Sequence, residues 1–94
     1  KSVDMDGCTP LHCAARGGNI EIVKLLLARG APLDAVDRDG LSALHYAVIG
    51  GNIEIVKLLI ARGVPVGLKS KDQSTAKSMA ITLGRKDIAA VCHQ

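Results

Sequence analysis

Gly17-Gly18-Asn19-Ile20-Glu21-Ile22-Val23-Lys24-Leu25-Leu26 returns letter for letter as Gly50 to Leu59, thirty-three residues later. The copying runs outward on both sides. Asp6-Gly7 recurs as Asp39-Gly40, Leu11-His12 as Leu44-His45, Ala28-Arg29-Gly30 as Ala61-Arg62-Gly63, and Pro32 as Pro65. A third, decayed copy follows without a gap: Asp72, Thr75, Ala80, Gly84, Asp87 and Ile88 stand one period after Asp39, Ser42, Ala47, Gly51, Glu54 and Ile55. A fixed period of this size marks an array of stacked supersecondary units. The expected division is one repeat domain over residues 1–94, with units at 6–38, 39–71 and 72–94, the last a degenerate cap. Val3-Asp4-Met5-Asp6-Gly7 matches Val36-Asp37-Arg38-Asp39-Gly40, so residues 1–5 are expected to end a preceding hairpin and the chain to be a fragment of a longer protein.

Each unit reads as two short helices. Thr9 is a suitable N-cap and Pro10 suits the first helical position, where a missing N–H costs nothing. Gly17-Gly18 stops that helix and Asn19 caps the next, with Glu21 at its positive end, Ile22, Val23, Leu25 and Leu26 as its apolar face and Gly30 to end it. Asn52, Glu54 and Gly63 repeat the pattern. Isolated helices need about 12–15 residues to persist in water, so stacking must hold these. In the third copy Lys77-Ser78 replaces Leu-His and Arg85-Lys86 replaces Asn-Ile, which predicts a more polar outer face.

The signature Asp6-Gly7-Cys8-Thr9-Pro10-Leu11-His12-Cys13-Ala14-Ala15 resembles that of the ankyrin repeats, at their repeat length. Asp39-Gly40-Leu41-Ser42-Ala43-Leu44-His45-Tyr46-Ala47 carries it again, with Ser for Thr and Ala for Pro. The resemblance implies an all-α repeat solenoid of stacked helix-turn-helix units joined by β-hairpin-like loops. It also implies that His12 and His45 hydrogen-bond to neighbouring backbone and tie one hairpin turn to the next. Lys77 departs from a position that the family fills with a core leucine.

Composition narrows the function. The chain has 94 residues, 48% of them hydrophobic, with a single aromatic residue, Tyr46, so its core must be aliphatic. A net charge of +3 without a basic tract does not suggest nucleic acid. Charged residues such as Lys24, Arg29, Lys57 and Arg62 break the apolar blocks, which excludes a membrane-spanning helix. Three cysteines without a disulfide spacing point to a reducing, intracellular compartment, cytoplasmic or nuclear.

Cys8, His12, Cys13, His45, Cys92 and His93 are the candidate chemical groups. They lack the paired spacing of a zinc site, and a cysteine nucleophile would need a cleft and an oriented base. Gly17-Gly18-Asn19 and Gly50-Gly51-Asn52 lack the Lys-Ser/Thr of a phosphate loop. Neither an enzyme nor a cofactor or metal site is expected, and Tyr46 reads as packing between helices.

The resemblance implies protein binding through the hairpin tips and the exposed side of the first helices. Where near-identical units differ, they differ at Met5, Arg38 and Lys71 at the tips, then Cys8, Leu41 and Ser74, then Arg16, Ile49 and Thr82. Leu41 and Ile49 are expected at the groove centre with Arg16, Arg38, Lys69 and Lys71 around them, an arrangement for an amphipathic or acidic protein or peptide ligand. Partial cover of both aliphatics by neighbouring units is the competing expectation. A second reading is a scaffold segment packed on a larger parent enzyme, channel or adaptor. A third is lipid or nucleic-acid binding through Lys69, Lys71, Lys77, Arg85 and Lys86, which strong salt dependence would reveal. The chain is expected to be a monomer, with weak self-association through exposed repeat ends as the secondary outcome. His12→Ala should cost about 0.5–1.5 kcal/mol for one hydrogen bond, and more where a buried partner is left unpaired; an unchanged melt would count against the role.

Overall fold

Short polar side chains start the helices of a computed structural model that describes residues 9–31, 33 and 35–92. Thr9, Ser42 and Thr75 accept hydrogen bonds from the backbone N–H groups of His12, His45 and Ser78, at 3.3, 3.4 and 3.1 Å respectively. These begin α1 (Pro10–Gly17), α3 (Ala43–Gly50) and α5 (Ala76–Thr82). Gly18 and Gly51 stop the first two in the left-handed region, at φ 77° and 76°, where a side chain would be strained. Asn19 and Asn52 then cap α2 (Ile20–Ala28) and α4 (Ile53–Ala61) through their side-chain oxygens. Arg85, in the corresponding place, makes no cap, and α6 (Lys86–Val91) has only six residues.

Among the described residues there are six helices and no strands, an all-α repeat fold. Each first helix lies on the next, α1 on α3 and α3 on α5, while α2, α4 and α6 form the parallel layer. The link before α3 is hairpin-like, with one antiparallel bridge between Val36 and Ser42. The core is aliphatic: Leu11, Leu44, Val48, Ile55, Val56 and Leu59 are fully buried. The expected four-residue apolar face of α2 divides, however. Val23 is buried and Leu26 half-buried, but Ile22 and Leu25 are exposed.

Polar side chains join successive pairs. His12 Nδ1 accepts the Thr9 N–H at 3.0 Å, so the ring proton sits on Nε2, which donates to the Ala35 carbonyl at 3.0 Å. His45 repeats this with the Ser42 N–H and the Ser74 carbonyl, both at 2.9 Å. Asn52 Nδ2 donates to the Gly18 carbonyl at 3.3 Å, and the Arg85 guanidinium to the Ile49 carbonyl at 3.4 Å. The carbonyl-rich ends of α1 and α3 are thus met by donors from the following pair, in α3's case a cation suited to its negative end.

Burial pushes the His45 pKa below its ordinary 6.5, against the opposing effect of the Ser74 carbonyl and the charges of Asp37 and Asp72. On acidification the unfolded chain therefore takes up this proton first. Stability should be level above about pH 6.5 and fall below it, by at most about 1.4 kcal/mol per pH unit for one proton. Urea melts across this range should show that slope, and a shallower one for His45→Ala; equal slopes would remove His45 as the cause.

Candidate protein-binding groove

Asp37 organises the turn that leads into α3. Its Oδ1 accepts the N–H groups of Asp39 and Leu41, each at 2.9 Å, and its Oδ2 accepts the Tyr46 hydroxyl. Burial by itself would raise the Asp37 pKa, but the Tyr46 hydroxyl, the two backbone donors and the nearby His12 together hold it below 3.8. The Tyr46 ring lies tilted beside the His12 ring, with centroids 5.2 Å apart. Expected as packing alone, Tyr46 thus packs between helices and also fixes a hairpin. Its hydroxyl is a signal the sequence offered: buried tyrosines usually find a polar partner.

The next turn substitutes serine for this aspartate. Ser70 donates to Asp72 Oδ1, and the Ser74 N–H meets Asp72 Oδ1 at 3.2 Å and Ser70 Oγ at 3.3 Å. These hydroxyl and amide donors, from Ser70 first and then Ser74, hold the Asp72 pKa below its ordinary value. The two turns touch through the Lys71 N–H and the Asp39 carbonyl, 2.9 Å apart. A Cβ at Gly40 would stand 3.0 Å from the Lys71 nitrogen, so glycine keeps the tips together.

Beside these turns run two adjoining cavities. One of about 300 Å³ is lined by Asp39, Leu41, Ser70, Lys71, Asp72, Ser74 and Met79. The other, about 270 Å³, is lined by Ile49, Asp72, Ser74, Met79, Thr82 and Leu83. Asp72, Ser74 and Met79 belong to both, which joins them into one trough across α3 and α5. Of the residues expected to bind, Leu41, Lys71, Ser74, Ile49 and Thr82 therefore come together. Arg16, Arg38 and Lys69 are exposed but line neither cavity. Met5 and Cys8 lie outside the described residues. Leu41 and Ile49 are half-buried and pack against the core, so each offers part of its surface.

Met79 and Leu83 were not anticipated. Met79 shares the slot of Cys13 and Tyr46, and Leu83 stands one period after Gly50. That glycine-to-leucine change was the available signal. A third cavity, about 380 Å³, lies elsewhere, between the start of α4 and the turn into α6, beside Arg85 and Lys86.

The thiols are differently placed: Cys13 is exposed, whereas Cys92 is buried, and burial raises its pKa. The latter favours a protonated, unreactive thiol. Among the described residues no three His, Cys, Asp or Glu side chains gather to hold a metal ion, and no helix is long and apolar enough to cross a membrane.

The family model described as ankyrin repeats (3 copies) matches residues 1–70 and, overlapping, 31–91. The chain belongs to the ankyrin repeat family, whose members are generally protein–protein interaction modules and typically non-catalytic. It is also similar to the zinc finger CCCH domain-containing protein 24 of Oryza sativa subsp. japonica, with 64% identity over 33 residues. That match takes in 32% of this chain and 4% of the rice protein, so the likeness has the length of one repeat.

Tyr46→Phe should keep the ring packing but remove the hydroxyl from the Asp37 carboxylate. The expected loss is about 1.5–3 kcal/mol, as for a hydrogen bond to a charged group. Denaturant melts would measure it, and a loss below about 0.5 kcal/mol would show that Asp37 does not depend on Tyr46.

Proposed function

We propose that this chain is a non-catalytic binding module that holds a partner protein or peptide in the trough across α3 and α5. The observation that carries this reading is the apolar floor of Leu41 in one cavity and Ile49 in the other, joined by Met79, which lines both and belongs to the next repeat unit. Ser74 and Thr82 add hydroxyls to it, and Lys71 stands at its edge. Arg16, Arg38 and Lys69 form the wider cationic rim, with Met5 and Cys8 as further contacts. Asp39 and Asp72 also line the trough, so an amphipathic ligand suits it best, its apolar side chains seated on the floor. The carboxylates of an acidic ligand would point away from these two aspartates, toward Lys71 and the rim cations. Buried apolar anchors would supply most of the affinity, while rim charges would act mainly on association rate and selectivity. The proposed setting is the cytoplasm or nucleus.

A second reading has an observation of its own. The rice relative aligns over only 4% of its length, so a repeat of this kind also occurs within a much larger chain. In that setting the same trough would pack on the parent protein as a scaffold.

Leu41→Asp/Ile49→Asp tests the first reading once melts establish that the variant folds. Affinity capture should recover a specific protein with the native chain, and binding of that protein should weaken at least about tenfold, or about 1.4 kcal/mol, with the variant. Equal binding by both would place the contact outside the trough.

A further inference from the structure

The cavity at the α5 end of the trough is apolar apart from one charge. Ile49, Met79 and Leu83 line it with the hydroxyl-bearing Ser74 and Thr82, and Asp72 is the single charged residue in its lining. Ile49 and Met79 are half-buried and Leu83 is 47% exposed, so the apolar walls are open to a ligand. Asp72 is exposed, and the donors from Ser70 and Ser74 keep it ionised at neutral pH. The Ser70 hydroxyl and the Ser74 N–H both fall on its Oδ1. An ionised carboxylate has about four lone-pair sites, so Oδ2 retains acceptor capacity.

Among the described residues no cation pairs with this carboxylate. Lys71 lines the neighbouring cavity, together with Asp39 and Asp72, and makes no ion pair with either. The trough thus sets two carboxylates against one ammonium, on a chain whose net charge is +3. The chain as a whole attracts anions, and this place favours a cation.

The preceding unit fills the same places differently. One period before Ile49, Asp72, Ser74, Met79, Thr82 and Leu83 stand Arg16, Asp39, Leu41, Tyr46, Ile49 and Gly50. There the chain has a cation of its own, and glycine stands where Leu83 forms a wall. In the later unit the aspartate is kept, the cation gives way to an aliphatic, and the leucine wall is added. Lysine and arginine side chains match what results, an apolar stem under a charged head. An ammonium is a point charge that one carboxylate oxygen can receive, whereas a guanidinium fork engages both. With two donors already on Oδ1, lysine fits better.

We propose that the pocket of Ile49, Met79 and Leu83 receives a lysine side chain of the bound protein or peptide, its methylenes on the three apolar residues and its ammonium on Asp72. This rests on the trough being the binding surface and narrows its ligand to an amphipathic segment with a lysine beside the apolar residue that covers Leu41.

Three tripeptides, acetylated and amidated at their ends, supply the test: Leu-Lys-Leu, Leu-norleucine-Leu and Leu-Glu-Leu. Each is titrated into the whole chain at low salt and followed by the amide shifts of Leu41, Ser74, Met79 and Leu83. The lysine peptide should bind about two- to fivefold more tightly than the norleucine peptide, as for one exposed ion pair, and the glutamate peptide most weakly. Asp72→Asn should bring the lysine and norleucine peptides level, whereas Asp39→Asn, an equal change in net charge, should leave the preference. On the native chain, salt at about 1 M, where the screening length is about 3 Å, should shrink the difference without any substitution. If the norleucine or glutamate peptide binds as tightly as the lysine peptide while moving the same amides, the lysine pocket is overturned and the trough stands. If none of the three moves them, the trough itself fails and the pocket with it.

Discussion

Helices of six to nine residues cannot persist alone, because nucleating a helix fixes several residues for its first hydrogen bond and propagation over two turns does not repay it. Everything else in the molecule follows from that shortage. Side chains that would serve a longer helix by its own packing serve here by covering the next pair, and stability becomes a sum of unit and neighbour contributions. Val23, Val48, Val56 and Leu59 are fully buried although the helices that bear them are too short to be stable by themselves.

Aliphatic packing is tolerant of sliding, and the polar side chains set the register. Each signature histidine accepts a hydrogen bond from its own N-cap backbone and donates one to a carbonyl in the loop that follows. This uses both ring nitrogens and fixes a single tautomer. Asn52 and Arg85 add a second row of bonds between successive pairs. The row weakens toward the tail, where Arg85 supplies the bridge to α3 but no cap to its own helix.

The trough depends on the same network. Leu41 reaches its place because Asp37 takes the backbone N–H of Leu41 while its other oxygen is held by Tyr46 from α3. A buried carboxylate with both acceptor oxygens satisfied makes a stiff support for an apolar residue at a binding surface. Stacked units then extend one turn's surface into the next, as Asp72, Ser74 and Met79 do by lining both cavities. Binding would therefore draw on a preformed surface, which lowers the ordering cost of association.

The period, the helix pairs, their caps and the role of the histidines were legible in the residues because each depends on short-range chemistry: a hydroxyl before a proline or alanine, an asparagine after two glycines, the same letters thirty-three positions on. Half of the candidate site was legible as well, through the positions at which the copies differ. Met79 and Leu83 were not, since whether a side chain lines a trough depends on the spacing of helices from different units. Only the tertiary structure decided burial. Ile22 and Ile55 have the same flanking letters and opposite environments, because a side chain in a stack is buried by the unit beside it and not by the residues next to it in the chain.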